Sequence, residues 1–426
     1  PGLAARRAAL VLVQAVRLQD RLLAELTETP DGPLAALSPA DRARAQRLAA
    51  QALRHGQRID KALAPFLEKA PPLRVRLVLH LAMVELCEDE AAAHGVVNGW
   101  VTLMRSHPKT RSMAGLVNAV LRRAAGEVAP RWNALPPARM PDWLRKPLRK
   151  AYGGDALTAM EAVFARQPPL DLTPADGDAT ALAQATGGDV LPTGSVRLAA
   201  PGQVSALPGY AEGRWWVQDA AAAIPARVLA PAPGARVLDL CAAPGGKTLQ
   251  MAAMGAEVTA LDISAHRMAR LAENLARTGL AAETVVADAT AWDPGGAFDA
   301  ILLDAPCTAT GTIRRHPDLP HAKSAAATAP LAALQAALLD RALGWLAPGG
   351  ALVFCTCSLL PEEGEAQVAA ALARHEGLAA DPLDPAEYGL PPEAAVPGGL
   401  RLRPDFLPET GGMDGFFIAR LRRAAL

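Results

Sequence analysis

The stretch Arg236-Val237-Leu238-Asp239-Leu240-Cys241-Ala242-Ala243-Pro244-Gly245-Gly246-Lys247-Thr248 decides how the rest of this chain is read. It opens as a short apolar run with a single acid and breaks at Pro-Gly-Gly. From Lys247 to Met254 the residues can form a helix. That succession is the strand–turn–helix entrance to an open α/β nucleotide site. Two adjacent glycines let backbone pass close to a ligand where a Cβ would clash. The helix N-terminus behind them offers unpaired amides to an electronegative atom.

Several ligands could use such an entrance. Gly246-Lys247-Thr248 suggests a P-loop, but that motif requires glycine where Cys241 stands. A dinucleotide fingerprint needs Gly-x-Gly-x-x-Gly, which is absent. The third reading is an S-adenosylmethionine site in a Rossmann-like methyltransferase. Asp239 then ends the first strand, and an acid at the tip of the second holds the ribose. Asp262, at the end of Val258-Thr259-Ala260-Leu261-Asp262, lies seventeen residues after Gly245, close to the spacing of about 20 for a ribose acid. A tight βα turn that binds nothing would look the same from this stretch alone.

Downstream, apolar runs alternate with helical stretches. Strands are expected at Arg236–Ala243, Glu257–Ile263, Thr284–Ala287, Phe298–Leu303 and Ala351–Cys355, with helices at Lys247–Met254 and Ala265–Arg277 and a long helix ending near Leu346. This alternation gives a mostly parallel sheet covered by helices on both faces. Its ligands bind beyond the carboxyl ends of the strands. Gly245, Asp262, Asp288, Asp304 and Cys357 all fall at such ends.

The first third reads differently. Residues 3–124 carry helical patterns only, with an apolar face of Leu10, Leu12, Val13, Val16 and Leu18 among arginines that include Arg6 and Arg7. Ser38-Pro39-Ala40-Asp41 starts a helix through Arg54, and Asp60–Leu67 and Leu73–Leu86 are read as further helices. Val96–Trp100 and Gly115–Arg123 supply the last two of an all-α bundle. Val128–Arg139 reads as a linker, and Ala156–Arg166 as a helix after the Gly153-Gly154 stop. From there to Val217 short strands and one helix form a small α+β insert, where the Trp215-Trp216 pair is expected to fill a domain junction. The expected division is 1–127, 128–165, 166–217 and 218–426.

Formal net charge is zero, yet residues 1–150 hold 24 Lys+Arg and 13 Asp+Glu. A basic first third on an acidic remainder points to a polyanionic partner. Hydrophobic residues make up 51% and aromatics 4%, so the cores must be aliphatic and alanine-rich. No apolar run reaches membrane-span length and Pro1–Asp20 lacks a signal-peptide pattern. Five cysteines make no disulfide ladder, and Cys355-x-Cys357 lacks a second pair for zinc. A cytoplasmic protein without membrane or metal, and a monomer, is expected.

Two cysteine stretches narrow the chemistry: Asp304-Ala305-Pro306-Cys307 and Cys355-Thr356-Cys357-Ser358. Each sets a thiol just past a strand end. Amino-group methyltransferases resemble one another in an Asp/Asn-Pro-Pro-aromatic loop at the first place, so Asp-Ala-Pro-Cys disfavours nitrogen methylation. Carbon 5 of a pyrimidine is a poor nucleophile until a thiolate adds at carbon 6, after which it can attack a sulfonium methyl. The residues alone do not say which cysteine adds.

With these motifs, the chain resembles the bacterial 16S ribosomal RNA cytosine-carbon-5 methyltransferases of the RsmB/Sun/Fmu group, in the NOL1/NOP2/Sun family. Residues 1–125 look like a NusB-type RNA-binding domain, mainly through Gly115–Arg123. The most specific matches are Cys241–Lys247, Asp304–Cys307, Cys355–Ser358 and Met413-Asp414-Gly415-Phe416-Phe417-Ile418. The resemblance implies a multidomain protein: an all-α NusB-like domain, the α+β insert and a Rossmann-like class I core. It implies that Cys241, Ala242, Ala243, Pro244, Gly245, Gly246 and Lys247 form the S-adenosylmethionine loop. Asp262 would hold the ribose, Asp288 would lie beside the adenine, and Asp304 would stand near the methyl donor and the cytosine. Cys357 would be the nucleophile and Cys307 would assist product release. Cys355, Cys241 and Cys87 are read as packing residues, and His316 as either a phosphate contact or an exposed loop residue. The implied partner is small-subunit ribosomal RNA, free or partly assembled. Transfer RNA as substrate, or a non-catalytic assembly factor that keeps a cofactor pocket, are the rivals. An Arg-x-Asn element frequent in the family is missing at Leu170–Thr173.

Overall fold

The computed structural model describes residues 2–29, 31–200 and 202–423. The chain forms two compact units: residues 1–165 with 315–324, and residues 166–314 with 325–426.

The first unit is helical throughout: α1 (Leu3–Gln19), α2 (Leu23–Glu28), α3 (Pro39–Leu63), α4 (Leu73–Cys87), α5 (Ala93–Arg105), α6 (Ala114–Glu127) and α7 (Asp142–Phe164). Ser38 caps α3 by accepting from the amide of Asp41 at 3.2 Å. That helix does not end near Arg54. It continues to Leu63 and absorbs the separate helix expected from Asp60. Gly56 lets it pass, because a Cβ there would stand 3.3 Å from the His80 ring. Leu10, Leu12, Val13 and Val16 of α1 are buried as expected, but Leu18 is 65% exposed. Arg6, expected on the surface, is buried instead. Its Nε donates to Glu85 at 2.7 Å; Trp100 Nε1 donates to the same carboxylate at 2.6 Å, and Arg44 adds a third donor. A buried charge held by several donors is the arrangement a core tolerates.

Residues 128–139, read from their prolines as a linker, are packed into this unit. Val128 and Trp132 are buried, and Trp132 Nε1 donates to Glu88 at 2.6 Å. Gly153, at φ 83°, breaks α7 into two helical pieces. Residues 315–324 belong here too. Asp318 accepts from the amide of Leu23 at 2.8 Å, His321 meets the Leu53 carbonyl at 3.0 Å, and the carbonyl of Pro320 accepts from Trp143 at 3.2 Å. His316 is half-buried, and burial, with help from Arg315, lowers its pKa to about 4. It is therefore not the exposed loop histidine considered for it.

The second unit holds two sheets. Strands β1 (Leu170–Pro174), β2 (Asp189–Val190), β3 (Val196–Leu198) and β4 (Trp215–Val217) make a small antiparallel sheet in the order β2-β3-β1-β4. In β1, where the Arg-x-Asn element is missing, Asp171 forms a buried pair with Arg197 at 2.6 and 2.7 Å. The tryptophans are both buried: Trp215 packs within this sheet, while Trp216 packs on Ala242, Ala243 and Leu249 of the cofactor loop and its helix.

The large sheet contains β5 (Arg236–Leu240), β6 (Glu257–Asp262), β7 (Glu283–Val286), β8 (Phe298–Asp304), β9 (Leu346–Thr356), β10 (Leu378–Ala380), β11 (Ala395–Val396), β12 (Gly399–Leu402) and β13 (Phe416–Arg423). Its order is β11-β12-β13-β9-β8-β5-β6-β7, with β10 also on β13. Strands β5 to β9 are parallel and the rest antiparallel. The helices 246–253, 265–278 and 328–345 connect the parallel strands, as the alternation predicts. Val237, Leu302, Val353 and Ile418 face one apolar cluster, while Leu238, Ile301, Leu303 and Phe354 face the other. That two-sided burial is why these strands read as continuous apolar runs. No helix among the described residues is long and apolar enough to cross a membrane, and no group of three or more His, Cys, Asp or Glu is placed to hold a metal ion.

Candidate active site

The site lies at the carboxyl ends of the parallel strands. β5 ends at Leu240, earlier than its apolar run suggested, because Cys241 turns into the left-handed region at φ 61°. Gly245 follows at φ 106°, and a Cβ there would meet Leu271 Cδ1 at 2.2 Å. Glycine is therefore required both by backbone and by space. The loop is closed from the next strand. Asp262 accepts from the amides of Ala243 at 3.2 Å and Ser264 at 2.9 Å, and Arg267 reaches both Asp262 and the Ala243 carbonyl.

Asp239 is fully buried. Thr248 Oγ1 donates to its Oδ2 at 2.6 Å, while Oδ1 has no protein partner. Burial, with Asp304 and Asp262 against the opposing Thr248 and Lys247, raises its pKa to about 7. Lys247 points across to β8, and its Nζ meets Asp304 Oδ2 at 2.7 Å. Burial opposes the lysine's charge, but Asp304 outweighs it and the pKa is held above the ordinary value. The ring of Phe416 lies 5.4 Å from the same ammonium, within cation–π range. An orphaned buried oxygen, a glycine turn and acids at the next strand tips fit the polar groups of S-adenosylmethionine. Asp288 stands at the end of β7 but is exposed, and its carboxylate is engaged by the Thr290 amide and hydroxyl at 2.8 and 2.7 Å.

The two cysteine stretches converge. Cys307 Sγ and Cys357 Sγ are 3.5 Å apart. The contact with Cys357, then burial, raises the Cys307 pKa well above the usual thiol value. Cys355 is fully buried, with its Sγ 3.6 Å from Asp304 Oδ1, and packs on the same cluster as Cys357. Burial pushes the Cys241 and Cys87 thiols up to about 12.

Glu363 was not singled out from the sequence, yet it ties both thiol loops together. Its Oε1 accepts from the amide of Thr308 at 2.9 Å and from Gln335 Nε2 at 3.1 Å. Its Oε2 accepts from Ser358 Oγ at 2.5 Å and from the Thr308 hydroxyl. The only signal was an acid in the Pro361-Glu362-Glu363-Gly364 turn just after Cys357, where acids usually face water. The terminal motif closes the far side. Gly311 donates to the Cys357 carbonyl and Gly415 to the Gly311 carbonyl, each at 2.9 Å. A Cβ on Gly311 would fall 2.0 Å from the Gly415 carbonyl oxygen. Arg314, fully buried, pairs with Asp219 and lies 3.6 Å from Asp414.

The profile described as 16S rRNA methyltransferase RsmB/F matches residues 226–422, and that of the NusB family matches residues 3–126. Ribosomal RNA small subunit methyltransferase B of Xanthomonas campestris is 38% identical over 445 residues, covering 100% of this chain and 98% of that protein. The crystal structure of PH0851 aligns over 99% of both chains with a TM-score of 0.73 at 23% identity, which supports the fold. NSun6 from Pyrococcus horikoshii, solved with SFG, has a TM-score of 0.56 at 21% identity and covers 66% of this chain and 98% of its own. An N-terminal NusB-type helical unit, a class I core for S-adenosylmethionine and full-length likeness to a named rRNA methyltransferase agree: the chain belongs to the RsmB/F family of 16S rRNA methyltransferases.

Proposed function

We propose that this rRNA methyltransferase modifies carbon 5 of a cytosine in 16S ribosomal RNA through a covalent adduct between Cys357 and carbon 6. The 3.5 Å contact between Cys307 and Cys357 carries the reading. A binding protein has no use for two thiols poised together at a strand end. When bound, S-adenosylmethionine supplies a methyl group activated by its sulfonium.

In this reading Cys241 to Lys247 and Asp262 hold the cofactor, with Asp288 at the adenine side. The Cys357 thiolate adds to carbon 6, and the displaced electron pair makes carbon 5 nucleophilic. Asp304, fixed by Lys247, orients the ring. Once carbon 5 carries the methyl group its proton leaves to a base, the pair returns to carbon 6, and the carbon–sulfur bond breaks. Cys307, a protonated neighbour, supports departure of Cys357. A cytosine within a helix must leave its stack first, which favours free or partly assembled small-subunit RNA.

Methyl transfer to 16S RNA and gel-shifted protein–RNA adducts test the roles. Cys357→Ala is expected to abolish transfer while cofactor binding persists. Cys307→Ala is expected to accumulate the adduct. Activity in Cys357→Ala, with no adduct in Cys307→Ala, would overturn the assignment.

A further inference from the structure

A groove in the helical unit is untouched by the chemistry above. Its floor is aliphatic: Leu10 of α1, Val78 of α4 and Met104 of α5, all buried. Its rim carries Arg7, Arg74 and His107. The cavity is about 250 Å³, below the roughly 300–1,000 Å³ of clefts that enclose a whole small-molecule ligand. It suits one planar group with an anion beside it.

The charge is one-sided. None of the described lining residues is acidic. From Ala91 to Gly126 the chain carries Arg105, Lys109, Arg111, Arg122 and Arg123 and no acid at all. Some arginines of this unit are spent internally, as Arg6 and Arg44 are on Glu85. Arg7 and Arg74 are not among them, and Arg7 is exposed. The turn that bears His107 is built rather than loose. Thr110 Oγ1 donates to the Met104 carbonyl at 3.0 Å, and Ser106 Oγ to that of Leu103 at 2.8 Å.

We infer that this groove docks one unpaired nucleotide of the RNA substrate, with its phosphates on Arg7 and Arg74 and its base against the aliphatic floor. The inference rests on the rRNA reading above. Cationic rims fix a nucleic-acid backbone, and single-stranded RNA is the form whose bases are free to enter a pocket. A duplex cannot present a base to the floor, so the groove discriminates for single strands.

Point variants of the full chain test this. Deleting residues 1–125 does not, because Trp132 and residues 315–324 pack within the same unit. The probes are a single-stranded oligoribonucleotide, its duplex and an acidic peptide. Each phosphate contact contributes about 0.7 to the slope of log affinity against log salt for single strands. Arg7→Ala with Arg74→Ala is expected to flatten that slope by about 1.4, and so to weaken single-strand binding about 25-fold near 0.1 M salt. S-adenosylmethionine affinity is expected to stay constant. Val11→Asp, at a 41% exposed position on the groove, is expected to weaken single-strand binding more than duplex binding. Unchanged RNA affinity and slope in the double variant, with wild type binding and methylating RNA, would overturn the groove alone. A wild type that binds no RNA would overturn the rRNA reading with it. Tighter binding of the acidic peptide than of RNA, lost in the double variant, would assign the groove to a protein partner instead.

Discussion

Replacing Glu363 separates two ways of building the thiol pair. Its carboxylate accepts from four donors: the Thr308 amide, Gln335 Nε2, Ser358 Oγ and Thr308 Oγ1. The hydroxyls have alternatives, since Thr308, Thr310 and Ser358 lie 3.2–3.5 Å from one another and can turn to share their protons. The amide of Thr308 and the second proton on Gln335 Nε2 are fixed in direction and cannot turn as a hydroxyl can. Gln335's other contact, to the Pro306 carbonyl at 2.9 Å, uses only one of its protons. Glu363→Ala therefore takes the carboxylate acceptor from two buried, directionally fixed donors, at about 1–3 kcal/mol each, for a total of about 2–6 kcal/mol. Glu363→Gln keeps an oxygen toward those two donors and turns its amide toward hydroxyls that can accept. Only the charge assistance is lost, about 1–2 kcal/mol.

Denaturant unfolding of the wild type and both variants measures the difference. Turnover with saturating RNA measures its consequence. The acceptor joins the loop after Cys307 to the turn after Cys357, so its loss lets the sulfurs part. A displacement of about 1 Å at a reacting group costs up to 100-fold. Glu363→Ala is expected to lose turnover on that scale with little change in KM for S-adenosylmethionine, and Glu363→Gln to retain most of it. If Glu363→Gln destabilises as much as Glu363→Ala, or if Glu363→Ala costs under about 1 kcal/mol, the donor accounting fails. Full turnover in Glu363→Ala would show that the thiol loops hold without it.

Three further outcomes are expected. Asp239 has a folded pKa near 7 against an ordinary 3.8, so its contribution to stability is full below about pH 4 and lost as pH rises toward 7. Asp239→Asn should remove that loss, gaining on the order of 4 kcal/mol on wild type between pH 4 and pH 8; parallel urea-unfolding curves across that range would refute it. Gly245→Ala forces a left-handed φ on a residue with a Cβ and drives it into Leu271. It should cost about 1–3 kcal/mol and weaken S-adenosylmethionine binding measured by calorimetry. Arg314→Met removes the buried counter-charge that Asp219 and Asp414 face. The expected loss is about 3–5 kcal/mol, read as a lower denaturant midpoint, and Arg314→Lys should recover part of it.

What the sequence showed, and what it hid, follows from where each signal lives. The strand–turn–helix at Arg236–Thr248 was legible because apolar periodicity and a Pro-Gly-Gly break are local properties. The same holds for the Ser38 cap and for the acids at the strand tips. Helix ends were less legible: nothing local shows that Gly56 lies against His80 and lets α3 run on to Leu63. Buried charge was invisible. Arg6 sits on a helix rich in arginines, and only the fold supplies Glu85 as its partner across 79 residues. Prolines made residues 128–139 look like a linker, although Trp132 anchors them. Glu363 was missed for the same reason as Arg6. An acid in a Glu-Glu-Gly turn reads as solvated until Thr308, Gln335 and Ser358 are brought around it.

The thiol pair itself is a consequence of strand register. In the parallel pairing of β8 with β9, Asp304 stands opposite Cys355. Both chains then leave the sheet at the same edge, so residues two and three steps further on share one space although fifty positions separate them. A slip of one residue in β9 would turn Cys357 to the opposite side of the backbone and bring Thr356 toward Cys307. The register is guarded from the other flank as well. The antiparallel partner β13 pairs Phe417 with Thr356 and Ile418 with Cys355, and Gly415 then hydrogen-bonds Gly311 in the Cys307 loop. The last strand of the sheet thus fixes the first thiol through one hydrogen bond and the second through its ladder. It also sets Phe416 beside Lys247. Removing β13 should therefore abolish the 3.5 Å contact even though both cysteines remain. The contact can be read by how readily the two thiols cross-link to each other in the folded protein.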